Sequence, residues 1–355
     1  MKSPIRILLT ATVVLVAVAA NAQLVKIKEM ITVAENSTET TAKDIVINSQ
    51  FCKVEIKQTD GDKTIINGKL EAMEAHDAYK INFDDNGSTT TANFEVPTDA
   101  KSSYAGEFVI NVPAGVKVKV NATSGNVTLG QLTDCNVAIE TIKGKVMGKE
   151  LKGTLTAETK NGDISLSQID GTFTLSTSNG KVNVNNASGN LTFDTSDGDA
   201  TINGFSGKLN GKTIAGTQTY DNLTKCDFGL QGSTGAIKIS NSEIVLNATL
   251  KMATLNLFKV KGEFHIESEK GSIISSGSAN GVTLTASSDF TTTEGKINLT
   301  LINKKDELSF DLAHAHKGDI GLIAKGERTT KKQLKFGKGS IVVTGRTNTG
   351  TQTYK

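Results

Sequence analysis

The sequence predicts an all-β protein, built as a single-stranded parallel β-helix whose coils of about 18 residues consist of two halves of about nine. Two observations support this fold class. The chain of 355 residues contains 34 Gly, three Pro and no Trp, and it is visibly rich in Val, Ile, Thr, Ser and Asn, a composition that favours strands and turns over helices. Its glycines and apolar residues also recur at fixed intervals, which indicates stacked repeats.

The glycine repeat covers the middle of the chain. One set recurs at nearly constant spacing: Gly125, Gly144, Gly162, Gly180, Gly198, Gly216 and Gly235. A second set with the same period lies midway between members of the first: Gly153, Gly171, Gly189 and Gly207. Apolar residues follow most of these glycines at two and four positions, so that alternate side chains share one face of a short strand. A single unit cannot bury such a face but stacked coils can. An antiparallel sandwich, the alternative, would show irregular turn spacing.

Two polar sets follow the same repeat. Threonines recur with the period of the coil and without exception, at Thr141, Thr159, Thr177, Thr195 and Thr213. We expect them to stack at one point of the coil, with hydroxyls bonding along the stack and methyl groups packing inward. Asn161, Asn179 and Asp197 directly precede corner glycines, where we expect left-handed backbone.

The repeat divides the chain into four segments. Residues 1–22 form a signal peptide, residues 23–112 an N-terminal β-rich cap or small subdomain, and residues 113–281 the regular solenoid. Residues 282–355 form irregular coils and a C-terminal cap. Caps at both ends are expected because an open solenoid end would associate edge to edge.

The N-terminus predicts export. Lys2 and Arg6 precede an apolar stretch at residues 7–20, and Ala20-Asn21-Ala22 forms a cleavage signature. We therefore expect a protein of the periplasm, the outer surface or the extracellular space, without a transmembrane segment. Without the signal peptide the chain carries 37 basic and 37 acidic residues, which argues against binding nucleic acid or polyanions in general.

The cysteines and histidines give little indication of a disulfide scaffold or a metal site. Cys52, Cys135 and Cys226 are too few for a disulfide scaffold, and buried thiols are favoured over a bridge. His314 and His316 would share a strand face, but without a third ligand a surface or packing role is favoured over metal binding. No cofactor is expected.

Calcium and catalysis are the remaining alternatives. Calcium-binding β-rolls need tandem Gly-Gly-x-Gly-x-Asp, whereas lysine here replaces the acid in alternate turns. Asp163, Asp197 and Asp199 are the nearest candidates, and turn formation is the favoured interpretation of all three. A polysaccharide-cleaving β-helix would carry clustered acids walled by long loops, and the regular coils lack such loops.

The C-terminal segment carries a local excess of positive charge. Its candidate contacts for an anionic ligand are Lys331, Lys332, Lys335 and Lys338. The favoured alternative is a solvated cap that opposes end-to-end stacking.

Residues 108–129, "FVINVPAGVKVKVNATSGNVTL", carry a family resemblance. A Val-Pro-x-Gly start precedes valines at 116, 118 and 120 and then Ser124-Gly125-Asn126-Val127, and "GKGSIVVTGRTNTG" closes the pattern. Over residues 105–350 the chain resembles bacterial adhesin-like families of the DUF4097 and DUF2807 type, which are exported β-helical repeat proteins. The signal peptide ending in Ala-Gln also looks like those of Bacteroidetes. The resemblance implies a non-enzymatic surface or periplasmic protein and offers no catalytic residues.

The expected function is therefore binding. Exposed faces rich in Thr, Ser, Asn and Lys would meet cell-surface carbohydrate or protein. An envelope scaffold that self-associates is the alternative, and a polysaccharide-acting enzyme is less favoured.

Overall fold

The computed structural model describes residues 29–98, 104–275, 277, 279–315 and 321–355. Within these ranges the chain forms β-strands almost throughout, and its helical structure is one 3-10 turn, Lys305–Glu307. The prediction of an all-β protein with stacked strands is confirmed. The signal peptide predicted at residues 1–22 lies outside the described residues.

At the N-terminal end an early strand sits inside the stack. The strands here are β1 (Ile31–Thr40), β2 (Asp44–Gln58), β3 (Thr64–Ala72), β4 (Lys80–Asp85), β5 (Thr89–Glu95), β6 (Tyr104–Val112), β7 (Lys117–Ser124) and β8 (Val127–Leu129). β2 pairs in parallel with β5 and β6 on one side and with β7 and β8 on the other. Outside this layer β4 pairs antiparallel with β5, β3 with β6 and β1 with β3. The parallel stack therefore ends in antiparallel strands.

The middle of the chain stacks long strands in parallel. They are β9 (Leu132–Thr141), β10 (Val146–Thr159), β11 (Ile164–Thr177), β12 (Val182–Thr195), β13 (Ala200–Thr213), β14 (Gln218–Gly232), β15 (Ala236–Leu250) and β16 (Thr254–Ser268). Val146 faces Ile164, and Ile164 in turn faces Val182, so residues one coil apart lie against each other. Equivalent residues therefore form straight columns along the stack, about 4.8 Å apart.

The glycine spacing suggested that each coil consists of two separate short strands. In the structure the two halves form one continuous strand. β11 is one strand from Ile164 to Thr177. Within it a single residue, Gln168, has no partner on the neighbouring strand, and its φ is 55°. The equivalent residues share this left-handed backbone: Glu150, Gln168, Asn186, Gly204, Asn222, Asn241 and Lys259. Such a residue bends the strand while pairing continues on both sides.

The expectation of left-handed backbone before the corner glycines is wrong. Asn161, Asn179 and Asp197 have negative φ. Each of these corners instead continues the hydrogen bonding of the stack, as where the Asn179 N–H donates to the Lys160 carbonyl at 2.9 Å. The left-handed residue is needed at the bend within the strand, which the glycine pattern did not mark.

The C-terminal end mirrors the N-terminal one. Its strands are β17 (Ile273–Ser275), β18 (Val282–Leu284), β19 (Ser288–Thr292), β20 (Ile297–Leu299), β21 (Leu308–His314), β22 (Leu322–Ala324), β23 (Glu327–Thr329), β24 (Gln333–Gly337), β25 (Ile341–Thr347) and β26 (Gln352–Tyr354). β25 lies in parallel between β19 and β21, and β26 lies between β20 and β22. β24 and β23 then close the stack as antiparallel partners of β21 and β22.

A single hydrophobic core runs the length of the stack, from Ala42 to Tyr354. It includes the apolar residues that the repeat predicts to face inward, such as Ile164, Leu166, Phe173 and Leu175, each at most 2% exposed. No helix of the described residues is long and apolar enough to cross a bilayer.

Candidate functional site

The part of each coil after the bend presents a flat surface, the outer face, made of three columns of outward-pointing residues. The middle column is Thr156, Thr174, Thr192, Asn210, Gly229, Asn247, His265 and Asp289. The column on one side is Glu158, Ser176, Asp194, Lys212, Gln231, Thr249, Glu267 and Thr291. The column on the other side is Thr154, Thr172, Asn190, Lys208, Asp227, Val245 and Glu263. Nearly all of these residues carry hydroxyl, amide or charged groups.

A groove of about 560 Å³, the Gly229 groove, lies near the C-terminal part of this face. It occurs where Gly229 interrupts the middle column, between Asn210 and Asn247. A Cβ atom at Gly229 would lie 2.6 Å from Oδ1 of Asn210, so the Asn210 amide occupies the space that a side chain would need. Gln231, Thr249 and Glu267 also line the groove, and so do Asp194 and Lys212, which form an ion pair at 2.8 Å.

His265 stands at one end of the Gly229 groove between two carboxylates. Its Nδ1 lies 2.5 Å from Oδ1 of Asp289 and its Nε2 lies 2.8 Å from Oε1 of Glu263. These hydrogen bonds, the one to Asp289 first, raise the pKa of His265 above its ordinary value of 6.5. Both acceptors favour the imidazolium form, so this side chain adds a positive charge to the groove in acid.

A second groove, the Ser49 groove, has a volume of about 540 Å³ and lies where the N-terminal strands meet the first long coils. It belongs to the same face, because the column that contains Glu158 continues through Glu140, Asn121 and Asn48 to Asn93. Its wall also includes Ser49, Gln50, Phe94, Tyr104, Ala122, Thr123, Thr141, Ile142 and Lys160.

Two side-chain bonds fix the amides of the Ser49 groove. Nδ2 of Asn121 donates to Oδ1 of Asn48 at 2.8 Å, and the Tyr104 hydroxyl donates to Oε1 of Gln50 at 3.1 Å. Oγ of Ser49, in the inward column of Ala122 and Thr141, and Oδ1 of Asn121 are buried and have no hydrogen-bond partner. The amides of Asn48, Gln50 and Asn121 are therefore held in fixed orientations along this wall.

The threonine ladder of the sequence lies inside the protein, on the opposite side of the strands from solvent. The five residues Thr141, Thr159, Thr177, Thr195 and Thr213 are each at most 6% exposed. The hydroxyls of the first four bond to glycines at the coil corner rather than to one another, and that of Thr213 has no hydrogen-bond partner. The Gly162 N–H, for example, donates to Thr159, whose hydroxyl donates to the Gly144 carbonyl. The ladder continues beyond the regular repeat at Ser268, Thr292 and Thr347.

The corner glycines are required by close contact between coils. A Cβ atom at Gly162 would lie 1.8 Å from the Gly144 carbonyl oxygen, and one at Gly180 would lie 1.8 Å from that of Gly162. Gly198 repeats this contact, and Gly171 and Gly189 occupy the equivalent ladder on the other side of the coil, against Gly153 and Gly171. These five glycines and the threonines thus belong to the scaffold that holds the outer face.

Comparison with known proteins agrees with this architecture. Residues 42–208 match the family model described as Toastrack DUF4097. This Toastrack segment runs from the start of β2 into β13 and so includes the whole Ser49 groove, and the family resemblance drawn from the sequence is confirmed.

One solved structure is similar to the chain, but the similarity is too weak to support an argument. It is a crystal structure of a protein from Clostridium sporogenes described as a "putative cell adhesion protein", with 11% sequence identity. The match covers 91% of this chain and 98% of the other, at a TM-score of 0.18, which is too low to carry a conclusion on fold or function. No curated protein matches the chain.

The acidic candidates of the Toastrack segment lie in ion pairs and turns. Lys145, Asp163, Lys181 and Asp199 form one column, in which Lys145 pairs with Asp163 at 3.2 Å and Lys181 with Asp199 at 3.3 Å. Backbone N–H groups of Lys181 and Thr217 also donate to Asp163 and Asp199 and lower the pKa of each carboxyl. Asp197 is exposed at the neighbouring corner. Among the described residues no three His, Cys, Asp or Glu side chains converge as a metal site requires.

The histidine pair lies beyond the Toastrack segment and is only half described. His314 ends β21, is 5% exposed, and neither ring nitrogen has a hydrogen-bond partner. His316 lies outside the described residues. The structure therefore gives His314 a buried packing position at the end of β21.

The four candidate lysines gather around β24 at the C-terminal end of the stack. Lys331 and Lys332 lie in the exposed turn before β24, and Lys338 is exposed just after it. Lys335 points outward from β24 and pairs with Asp311 at 2.9 Å. They line an edge strand and lie away from both grooves.

All three cysteines are free, buried thiols. Burial raises the pKa of Cys52 and Cys226 to about 12 and that of Cys135 to about 11. Cys135 and Cys226 replace the second-set glycine in coils that are slightly longer than their neighbours, where the register of the strand pairing shifts. They pack as small apolar residues.

Sequence reasoning missed the groups that form the two grooves. Ser49, Gln50 and Tyr104 lie in the segment without the regular repeat, so nothing in their spacing placed them beside Asn121 and Glu140. His265 and Gly229 are in the repeated region, and their signal was available there, because Gly229, Asn247 and His265 follow one another at the period of the coil.

Proposed function

We propose that this protein is an exported, non-enzymatic binding protein of the adhesin type, and that its outer face contacts carbohydrate or protein. The observation that carries the proposal is the three columns of outward polar residues, held in register across the long strands and containing two grooves of about 540 and 560 Å³. Strand pairing fixes the backbone that carries each side chain, so no backbone freedom has to be lost on binding.

The finer description of the fold is part of this proposal. We propose a single-stranded parallel solenoid over residues 113–281, with the coil length that the sequence repeat predicts and with caps at residues 23–112 and 282–355. The parallel pairing of residues one repeat apart, from Val146 to Ala200, supports it. Export is proposed from the signal peptide of the sequence.

The alternative is a scaffold that self-associates through its ends. Antiparallel strands cover both ends, and the edge strand β24 carries Lys335 with Lys338 directly after it. Charged side chains on an edge strand oppose addition of another strand. We therefore favour binding over assembly, and light scattering of the mature chain should give the mass of a monomer rather than of long rods.

A glycan array and a whole-cell pull-down test the binding function. The mature chain is compared with two variants. Asn247→Arg places an arginine on the outer face and blocks it, and Thr201→Arg places an arginine before the bend of β13, away from the outer face. We expect binding that Asn247→Arg reduces at least tenfold and Thr201→Arg leaves unchanged. Equal effects of the two variants, or no binding in either assay, would reject the proposal.

A further inference from the structure

Charge is unevenly distributed along the stack. Residues 23–112 carry 15 acidic side chains and nine Lys or Arg, whereas residues 282–355 carry 12 Lys or Arg and seven acidic side chains. Residues 113–281 are nearly balanced, with 16 basic and 15 acidic side chains. The chain without its signal peptide is therefore neutral as a whole, but its N-terminal part is acidic and its C-terminal part is basic. Such a separation orients a protein in the field of a charged surface.

The layer that closes the C-terminal end holds much of the positive charge. β23 and β24 form this layer as antiparallel partners of β22 and β21, and residues 327–338 contain both strands and the turn between them. The one carboxylate of this segment, Glu327, already pairs with Lys305 at 2.9 Å. Five exposed basic residues of the segment form what we call the terminal basic cluster: Arg328, Lys331, Lys332, Lys335 and Lys338.

Most of the terminal basic cluster has no carboxylate partner. Lys335 pairs with Asp311 at 2.9 Å. Within the part of the chain that the structure describes, the other four members of the cluster form no ion pair. In the middle of the stack, by contrast, Lys145 and Lys181 each pair with an aspartate of the next coil. The charge of the cluster is therefore available to a partner outside the chain.

Protection of the sheet edge explains only part of the cluster. Charged side chains oppose the addition of another strand when they stand on the edge strand itself. Arg328 and Lys335 do so, in β23 and β24. Lys331 and Lys332 lie in the turn between these strands, and Lys338 lies after β24. These three lysines extend the positive charge beyond the edge.

The terminal basic cluster is an exposed patch rather than a pocket. None of its members lines the Gly229 groove or the Ser49 groove. Small ligands are usually held in a concave site that buries most of their surface. A patch of separate exposed cations instead suits an extended surface of negative charge.

We propose that the terminal basic cluster docks this protein on the surface of an anionic phospholipid bilayer. The headgroup phosphates present many acceptors over a wide area, and ammonium and guanidinium groups donate to them. Each Lys or Arg near such a surface strengthens binding about fivefold. The acidic N-terminal end is repelled by the same surface, so the stack stands on its C-terminal end and leaves the outer face free. The inference goes beyond the proposed binding function and does not depend on it.

The test is cosedimentation of the full mature chain with two kinds of vesicle, one of phosphatidylcholine and one of equimolar phosphatidylglycerol and phosphatidylcholine. One variant combines Lys331→Glu, Lys332→Glu and Lys338→Glu. The matched control combines Lys143→Glu, Lys152→Glu and Lys251→Glu, three exposed lysines in the middle of the stack, and changes the net charge by the same amount. Thermal unfolding establishes that both variants are folded.

We expect the chain to bind the vesicles that contain phosphatidylglycerol and not those of phosphatidylcholine alone. The cluster variant should bind at least a hundredfold more weakly, because three contributions of about fivefold are lost. The control variant should bind within about fivefold of the unchanged chain, since its lysines lie more than a Debye length of about 10 Å from the surface. Raising the salt from about 0.1 M to about 1 M should release the chain.

Three results would overturn the inference. The first is equal weakening by the two variants, which would make net charge rather than the cluster responsible. The second is the absence of binding to either vesicle, or equal binding to both. The third is light scattering that shows rods of the unchanged chain but not of the cluster variant, because the partner of the cluster would then be the acidic end of a second copy. Calorimetry with polygalacturonate adds a further check, since tighter binding to it than to the vesicles would identify an anionic polysaccharide as the partner instead.

Discussion

The hydroxyl group of Thr177 donates a hydrogen bond of 3.0 Å to the carbonyl oxygen of Gly162, at the corner of the preceding coil. The same hydroxyl accepts from the N–H of Gly180 at its own corner, also at 3.0 Å. One buried threonine therefore joins two stacked corners. Thr159 makes the same two bonds, to Gly144 and from Gly162.

Replacing Thr177 by Val should lower the free energy of unfolding by about 1–3 kcal/mol, because a buried N–H and a buried carbonyl lose their partner. Thr213 is the matched control, since its buried Oγ1 has no hydrogen-bond partner. Thr213→Val should be neutral or stabilising. Urea unfolding followed by circular dichroism measures both, and equal losses in the two variants would contradict the bridging role.

Gly180→Ala should destabilise the protein by about 3 kcal/mol or more, since the added Cβ would overlap the Gly162 carbonyl oxygen and the coils would have to separate. At Gly61 the added Cβ has only one ordinary contact, 3.6 Å from Oγ1 of Thr59. Gly61→Ala is therefore expected to change stability by less than about 0.5 kcal/mol. Thermal unfolding of both variants decides whether the corners are as tight as described.

Gln168→Gly should stabilise the protein. Left-handed backbone costs a side-chain-bearing residue about 1–2 kcal/mol, and Gln168 has φ of 55°. Glycine removes this strain but adds freedom to the unfolded chain, so we expect a net gain of about 0.5–1 kcal/mol. Thr172→Gly, in ordinary strand backbone of the same coil, should instead destabilise by about 1 kcal/mol. A loss for Gln168→Gly would show that its side chain matters more than its backbone.

The carboxylates around His265 should make it titrate above pH 6.5. Its raised pKa means that the protonated ring stabilises the fold fully below pH 6.5, and that this contribution disappears as pH rises through the pKa of the folded state. Asp289→Asn should lower that pKa more than Glu263→Gln, because the bond to Asp289 is the larger cause. NMR titration of the ring protons measures it. Glu150→Gln, in the bend of β10, serves as control, and a pKa unmoved by Asp289→Asn would contradict the assignment.

Adding EDTA or calcium should leave the melting temperature of the mature chain unchanged. Asp163 and Asp199 already bond to backbone N–H groups and to Lys145 and Lys181, so that a cation would have to displace an ammonium group from each. Differential scanning calorimetry in both conditions provides the measurement. A rise with calcium that Asp163→Asn abolishes would establish a metal site.

The repeat made the inward residues predictable. When parallel strands pair one full repeat apart, every residue lies against its own equivalents, so the pattern around Ile164 also describes Val146 and Val182. The buried threonines were predictable for the same reason. Their partners in the preceding coil were not, because Gly162 comes into reach of Thr177 only when neighbouring corners stack.

The sequence by itself determined the all-β class, the stacked core and the residues that form the ladders, since those depend on spacing alone. Only the tertiary structure decided the order of strands at the two ends, where β2 and β25 enter the stack between segments distant in sequence. Their pairing depends on contacts over long separations, which no local period records. The Ser49 groove is a consequence of that order, because insertion of β2 brings Ser49 and Gln50 beside Asn121 and Tyr104.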